Sequence, residues 1–454
     1  NSGYEVVSGA SNIYIGSKSG GYGASSGAAN GSNNVAVGEQ TLYATTSSDN
    51  TAIGTNALRS LTSGAYNTAV GWRAGYTATT AAQNVAIGYE ALKGNTVTGE
   101  GNTAVGMRAI GAGAATSCDY NVCVGIQSGY DIISASKNVF LGYNAGANQT
   151  TGDDNVYIGK DAGRLSTTGS GNVAIGVDSL EALTGAKHNN TAIGRDTMKA
   201  MTTGHDNVAI GAYALDAADS ASNTQNICIG VYSGSGALDG YGNVFVGYQT
   251  GAVATAAQHN VAIGRDALSG LTTGDDNVCI GAYAGKDTNA VEGGVYNIFI
   301  GSKTRGTHPS HSSAVAIGYN IDAAPGQVAI GTSALGKVYN EFDTDAAWSQ
   351  GSDIRLKKNI NDSTLGLEFI NDLRPVTYNW KSSNELPEEF PAYDEENQKD
   401  TDTIMTGLIA QEVKEAIDKS GVERFGGWDE DNDGIQQIKK ELFIFPLINA
   451  VKEL

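Results

Sequence analysis

Residues 243–281 read NVFVGYQTGAVATAAQHNVAIGRDALSGLTTGDDNVCIG. Three times in this stretch an Asn is followed by an apolar residue, a variable residue, a second apolar residue and a Gly. The copies are Asn243 to Gly247, Asn260 to Gly264 and Asn277 to Gly281, spaced 17 residues apart. Alternation within a pentapeptide is the period of a strand, so its second and fourth residues share one face and its third takes the other. A strand this short cannot bury itself, but a coil that recurs every 17 residues can stack on its neighbours. The spacing predicts a parallel β-solenoid.

Outward from this stretch the pentapeptide occurs seventeen times, from Asn12 to Asn297, and includes Asn84 to Gly88 and Asn172 to Gly176. Two degenerate copies follow, AVAIG from Ala314 and QVAIG from Gln327. Nineteen coils at ~4.7 Å each would make a stack on the order of 85 Å long. The third position is mostly Ala, with Tyr14, Cys123, Phe140, Tyr157, Cys228, Phe245, Cys279 and Phe299 among the exceptions. Small residues with occasional large ones indicate a confined space, and both faces of the strand are expected to be buried. The motif Asn and Gly, as at Asn84, Gly88, Asn172, Gly176, Asn260 and Gly264, are expected at corners, where Asn tolerates and Gly prefers the left-handed backbone region. No proline occurs before Pro309, which suits a ladder in which nearly every strand is central.

The repeat ends near residue 337, and the composition changes with it. Residues 1–340 hold 23 acidic and 16 basic side chains and residues 341–454 hold 25 and 12, so the last quarter is about three times as densely charged. Two domains are implied: a shaft over 1–337 and a C-terminal domain over 352–454, joined by a linker over 338–351. The net charge of −20 argues against nucleic acid or an anionic membrane as partner. No apolar run is long enough to span a bilayer. The four cysteines form neither a Cys-x-x-Cys pair nor a dense framework and read as free thiols, three of them filling the variable third position.

NVAIG, NTAIG and NTAVG, recurring between small-residue corners, resemble the head repeats of trimeric autotransporter adhesins and related phage tail-fibre shafts. That resemblance implies a mainly β homotrimer in which three chains form a trimeric parallel β-roll, here of about 19 coils with a period near 17.

GSDIRLKKNI from Gly351, LRPVTYNWK from Leu373 and GLIAQEV from Gly407 follow in order. Together they resemble the intramolecular chaperone of phage tail fibres and tailspikes, the peptidase S74 family. The resemblance implies a small α+β domain that trimerises, sets the register of the fibre and releases itself by one self-cleavage. The scissile bond would be Gly351 to Ser352, with Ser352 as nucleophile, Lys357 as its dyad base, and Asp353 and Arg355 in support. A lysine base needs its pKa lowered from about 10.4 by burial or a nearby cation, a role open to Arg355 and Lys358. Chemistry of this kind is a single turnover with no external substrate. The final segment, KKELFIFPLINAVKEL, has a helical apolar pattern that Pro446 is expected to interrupt.

Other signals carry less. DEDNDG, from Asp429 to Gly434, has the early carboxylates of a calcium loop but lacks its closing Glu, so an acidic turn is the simpler reading. His188, His205 and His259 precede repeat asparagines in the turns. No metal and no cofactor is expected. The functional expectation is a structural virion fibre, exposed on a phage tail or outside the cell and made in the host cytoplasm. Its partners would be two further copies of itself, other virion tail proteins and a host-surface receptor, glycan or protein. The alternative from another class is a bacterial surface adhesin or appendage built on the same repeat. Receptor contacts are expected where the period breaks: near Cys118, at Asp216 to Gln225, at Val291 to Tyr296 and at Thr307 to Ser313.

Overall fold

A computed structural model describes residues 9–21, 31–94, 98–111, 117–218, 224–236, 238–286, 293–308, 310–334, 336–341, 345–350, 354–386, 401–430 and 434–454. The chain divides into two compact units, Asn1–Gly351 and Ser352–Leu454.

In the first unit every pentapeptide forms one three-residue strand, and each strand pairs in parallel and in register with the next. Val261, Ala262 and Ile263 face Val278, Cys279 and Ile280, and the same register links Val244–Val246 to Val261–Ile263. The degenerate copies extend the ladder, Val315–Tyr319 pairing with Ile298–Ile300 and Gln327–Thr332 with Val315–Tyr319. The fold is a parallel β-solenoid with a period of about 17 residues, as the repeat predicted.

The two faces of the strand are not equivalent. The third residue points inward and, beyond the half-buried Tyr14 of the first coil, is buried, as at Ala262, Cys279 and Phe245. The second and fourth residues point outward; Ile263 is 40% and Ile280 37% exposed. The expectation that both faces are buried fails for the isolated chain because the coil has only one interior.

The motif asparagines also differ from expectation. The left-handed backbone falls on the residue before the Asn, for example Asp154, His259 and Asp276. The Asn itself lies inside the coil. Asn260 Nδ2 donates to Asn243 Oδ1 at 3.1 Å and to the Gly274 carbonyl at 2.9 Å. Its own Oδ1 accepts both the backbone N–H and Nδ2 of Asn277 at 3.0 Å. The same links recur from Asn34 to Asn297, all fully or almost fully buried. Buried amides survive only with partners, and here each partner is the same residue one coil away. The motif Gly is required by contact as well as by backbone: Gly264 has φ +129°, and a Cβ on it would lie 2.7 Å from the Gly281 carbonyl carbon.

Inside the coil, the third position trades volume with the residue six places later. Ala36, Ala52, Ala86, Ala174, Ala192, Ala209 and Ala262 go with Leu42, Leu58, Leu92, Leu180, Met198, Leu215 and Leu268, all buried. Where the third residue is Cys, Phe or Tyr, the later residue is Gly in every coil but that of Phe299, which has Arg305, and a Cβ on Gly146 would meet the Phe140 ring at 2.7 Å. Phe140 and Tyr157 stack in successive coils with ring centroids 5.0 Å apart. Ala69 and Gly75 are both small because Leu58 of the preceding coil reaches into their space, its Cδ2 lying 2.7 Å from where a Gly75 Cβ would be. A mutational consequence follows from the fixed coil volume. Ala262→Phe alone is expected to cost about 3 kcal/mol through overpacking against Leu268, and Ala262→Phe with Leu268→Gly to recover most of it. Chemical denaturation of the two variants checks this; equal losses would contradict the volume trade.

The stack ends in a change of pairing. Gly336–Glu341 runs antiparallel to Gln327–Thr332, and Asp345–Gln350 runs antiparallel to Gly336–Glu341. The stretch read as a linker over 338–351 is therefore largely strand, covering the last edge of the ladder, where unpaired backbone would otherwise invite association.

Among its described residues the second unit holds three α-helices, α1 (Leu367–Asp372), α2 (Ala410–Ser420) and α3 (Ile444–Glu453), with two short antiparallel strand pairs. Its core is Leu365, Phe369, Val413, Ala416 and Ile417, ringed by residues that include Phe425, Trp428 and Phe443. Pro446 does not interrupt α3. It sits in the first turn, where its missing N–H would have had no helical partner.

Candidate functional site

The second and third C-terminal motifs fold against each other. Val376–Tyr378, from LRPVTYNWK, pairs antiparallel with Met405–Gly407, where GLIAQEV begins. α2 starts three residues later, and its Glu412 takes both Nε (3.1 Å) and NH2 of Arg374 in a two-pronged ion pair. The pair depresses the Glu412 carboxyl below its usual range and raises the Arg374 guanidinium, mainly through these hydrogen bonds. Both residues lie inside the quoted motifs, yet their partnership spans 38 positions and is not visible in the string.

α3 closes the domain from the other side. Glu453 accepts the Leu367 N–H at 2.7 Å at the start of α1, and Asn449 Nδ2 donates to the Leu365 carbonyl at 3.0 Å. These contacts were missed from sequence because they join residues more than 80 positions apart.

Gly351, Ser352 and Asp353 lie outside the described residues. Immediately after them, Ile354–Leu356 forms a single 3-10 turn, and the Lys357 N–H donates to the Ile354 carbonyl at 3.1 Å. This turn brings Arg355 and Lys357 into one short segment, with Lys358 next to them, and all three are exposed. Lys357 is thus not buried in the single chain, and the cations beside it are Arg355 and Lys358. Ile354 and Leu356 flank the same turn, 71% and 75% exposed, an unusual cost for apolar side chains in water.

Residues 352–422 match the family model of the chaperone of endosialidase (Peptidase_S74). The match covers the three motifs from Ser352 onward and both residues of the Arg374–Glu412 pair, and it ends before the Trp428–Glu430 strand and α3. No curated protein matches the chain. A chaperone domain of this type behind a β-solenoid fits a protein of the tail-fibre or tailspike kind.

Asn84, Asn172 and Asn260 belong to the buried ladder, and Gly88, Gly176 and Gly264 stack over one another's counterparts along the coil. His188 and His259 are exposed at turns, and His205 lies beside Asp206 at 2.8 Å. Asp429 and Glu430 are in a strand rather than a loop, while 431–433 are outside the described residues. Among the described residues no three His, Cys, Asp or Glu converge on a point that could hold a metal ion. Burial pushes the Cys228 thiol up to about 12 and the Cys118 thiol up to about 11, so neither supplies a thiolate at neutral pH. No described helix is long and apolar enough to cross a membrane.

Proposed function

We propose that the chain is the shaft of a homotrimeric virion fibre for host-cell attachment, and that its chaperone domain assembles the trimer and then cuts itself away before Ser352. The observation that carries this reading is the outward face of the solenoid. Val, Ile and Thr at the second and fourth motif positions form one apolar stripe, and the residue after the motif Gly adds Trp72, Tyr89, Tyr143 and Tyr248, all well exposed.

Soluble monomers rarely leave continuous apolar patches of more than a few hundred Å² open to water. A three-residue strand face ~10 Å wide and ~85 Å long amounts to on the order of 800 Å². A stable interface takes about that from each partner. Two further copies of the same chain, carrying the same stripe at the same spacing, are the partners that match it along its whole length.

The reading also gives the chaperone a task. Near-identical coils can pair one period out of register at little local cost, and long-range strand assembly is slow and prone to aggregation. A detachable trimeric clamp sets the register before the shaft closes. Apolar residues left open on the chaperone, among them Ile354, Leu356, Phe445 and Val451, suit self-association there too. Other virion tail proteins and a host-surface glycan or protein complete the set of partners.

The test of the cleavage step is the intact mass of the expressed chain beside Ser352→Ala. Wild type is expected to split between Gly351 and Ser352 and the variant to stay whole, with Lys357→Ala behaving like the serine variant. A wild type that stays whole removes Ser352 and Lys357 from catalysis and leaves a permanent trimerisation domain.

A further inference from the structure

On three successive coils near the end of the solenoid, Arg265, Tyr283, Lys286 and Lys303 line a cavity of about 620 Å³. They are the described residues of its wall, and three of the four are cations. This is unusual in a chain of net charge −20. A second cavity of similar size, lined by residues that include Asp178, Glu181, Arg195, Asp196 and Lys199, shows the ordinary pattern of the shaft. There four carboxylates, Asp216 included, face two cations, and Lys199 Nζ lies 3.0 Å from Asp178 and 2.8 Å from Asp196; beside the first cavity the paired carboxylate is Asp266, 3.8 Å from Arg265 and 2.7 Å from Lys286.

The cations of the first cavity are held in place. The Arg265 guanidinium lies over the Tyr283 ring, 4.7 Å from its centroid, and donates from NH2 to the Tyr283 hydroxyl. Lys286 Nζ is fixed at 2.7 Å from Asp266 Oδ1 and lies 5.4 Å from the same ring centroid. Lys303 opens to solvent from the following coil. A guanidinium held on an aromatic face is preorganised to offer its planar fork to a carboxylate or phosphate. The cavity also sits at a break in the period, where Asn277 and Asn297 are 20 residues apart.

We infer that this cradle binds the anionic group of a surface saccharide, a uronate carboxylate or a sugar phosphate. The inference deepens the attachment reading, on which it rests, by naming the chemistry of the receptor. The surrounding negative charge of the shaft repels polyanions, and this cradle carries the matching sign.

The experiment uses the assembled fibre and three probes: tetragalacturonate for a carboxylate, glucose 6-phosphate for a phosphate and maltotetraose as the neutral control. Calorimetric titration at roughly 50 mM salt keeps screening low. At least one anionic probe is expected to bind, and maltotetraose not to. Arg265→Gln with Lys303→Gln is expected to weaken that binding about tenfold or more, with unfolding temperature unchanged because both side chains are exposed. Absence of binding by both anionic probes, or binding that the double substitution does not alter, would overturn the inference. Adsorption of the fibre to host cells separates the two readings. A fibre that adsorbs but binds neither anion keeps the attachment role and loses the cradle, whereas one that binds an anion through the cradle but adsorbs to no cell keeps the cradle and loses the attachment role.

Discussion

Asn260→Ala is expected to destabilise the solenoid by about 3–5 kcal/mol, far more than an average substitution, because it breaks the ladder in two directions at once. Toward one neighbour it leaves the Asn243 amide oxygen and the Gly274 carbonyl without the Nδ2 donor that reaches them at 3.1 and 2.9 Å. Toward the other it leaves the Asn277 backbone N–H and side-chain amide without their acceptor at 3.0 Å. All these groups are inside the coil, where no water replaces the lost partner. A solenoid couples only nearest neighbours, so the damage should be local: limited proteolysis is expected to open the chain near residue 260 first. Unaltered stability would mean that the asparagines are fillers and not the spine of the stack.

The second large effect concerns association. Ile263→Asp with Ile280→Asp is expected to convert the proposed trimer to monomers, raising its dissociation constant by at least about a thousandfold. Both side chains are partly exposed in the single chain, so the charges are tolerated by the coil itself. In a three-fold stack they would bring six carboxylates into a dry seam, where burial and mutual repulsion each oppose assembly. Circular dichroism should retain the β-rich signal while sedimentation reports the smaller species. A double variant that still sediments as a trimer would place the interface on another face.

The repeat made the solenoid legible because a 17-residue period with alternating apolar residues has one economical packing, and the pairing of Val261 with Val278 and of Ile263 with Ile280 follows from it. What the string did not reveal was the direction of each face. Ala262 and Ile263 are both apolar, and only the closed coil shows that the smaller one fills the interior. The role of the motif asparagines was misread for a related reason: corner and core positions both favour a small polar amide when the core is built from backbone turns, and the distinction lies in the coil-to-coil hydrogen bonds of Asn260. The exchange of volume between Phe140 and Gly146, or Ala262 and Leu268, was present in the sequence as a fixed six-residue offset and needed only to be looked for.

In the C-terminal domain the motifs were legible as motifs, and the segment containing Ser352 and Lys357 matches the chaperone family. Their three-dimensional reason was not. The Arg374–Glu412 pair and the hold of Glu453 on Leu367 join distant residues, which a single sequence cannot pair.

The most direct test of the account is the solution mass of the purified shaft after release of the chaperone, measured by sedimentation equilibrium across a wide concentration range. The account predicts a single species of three chains that does not dissociate on dilution. A stable, soluble monomer carrying the full apolar stripe open to water would contradict it.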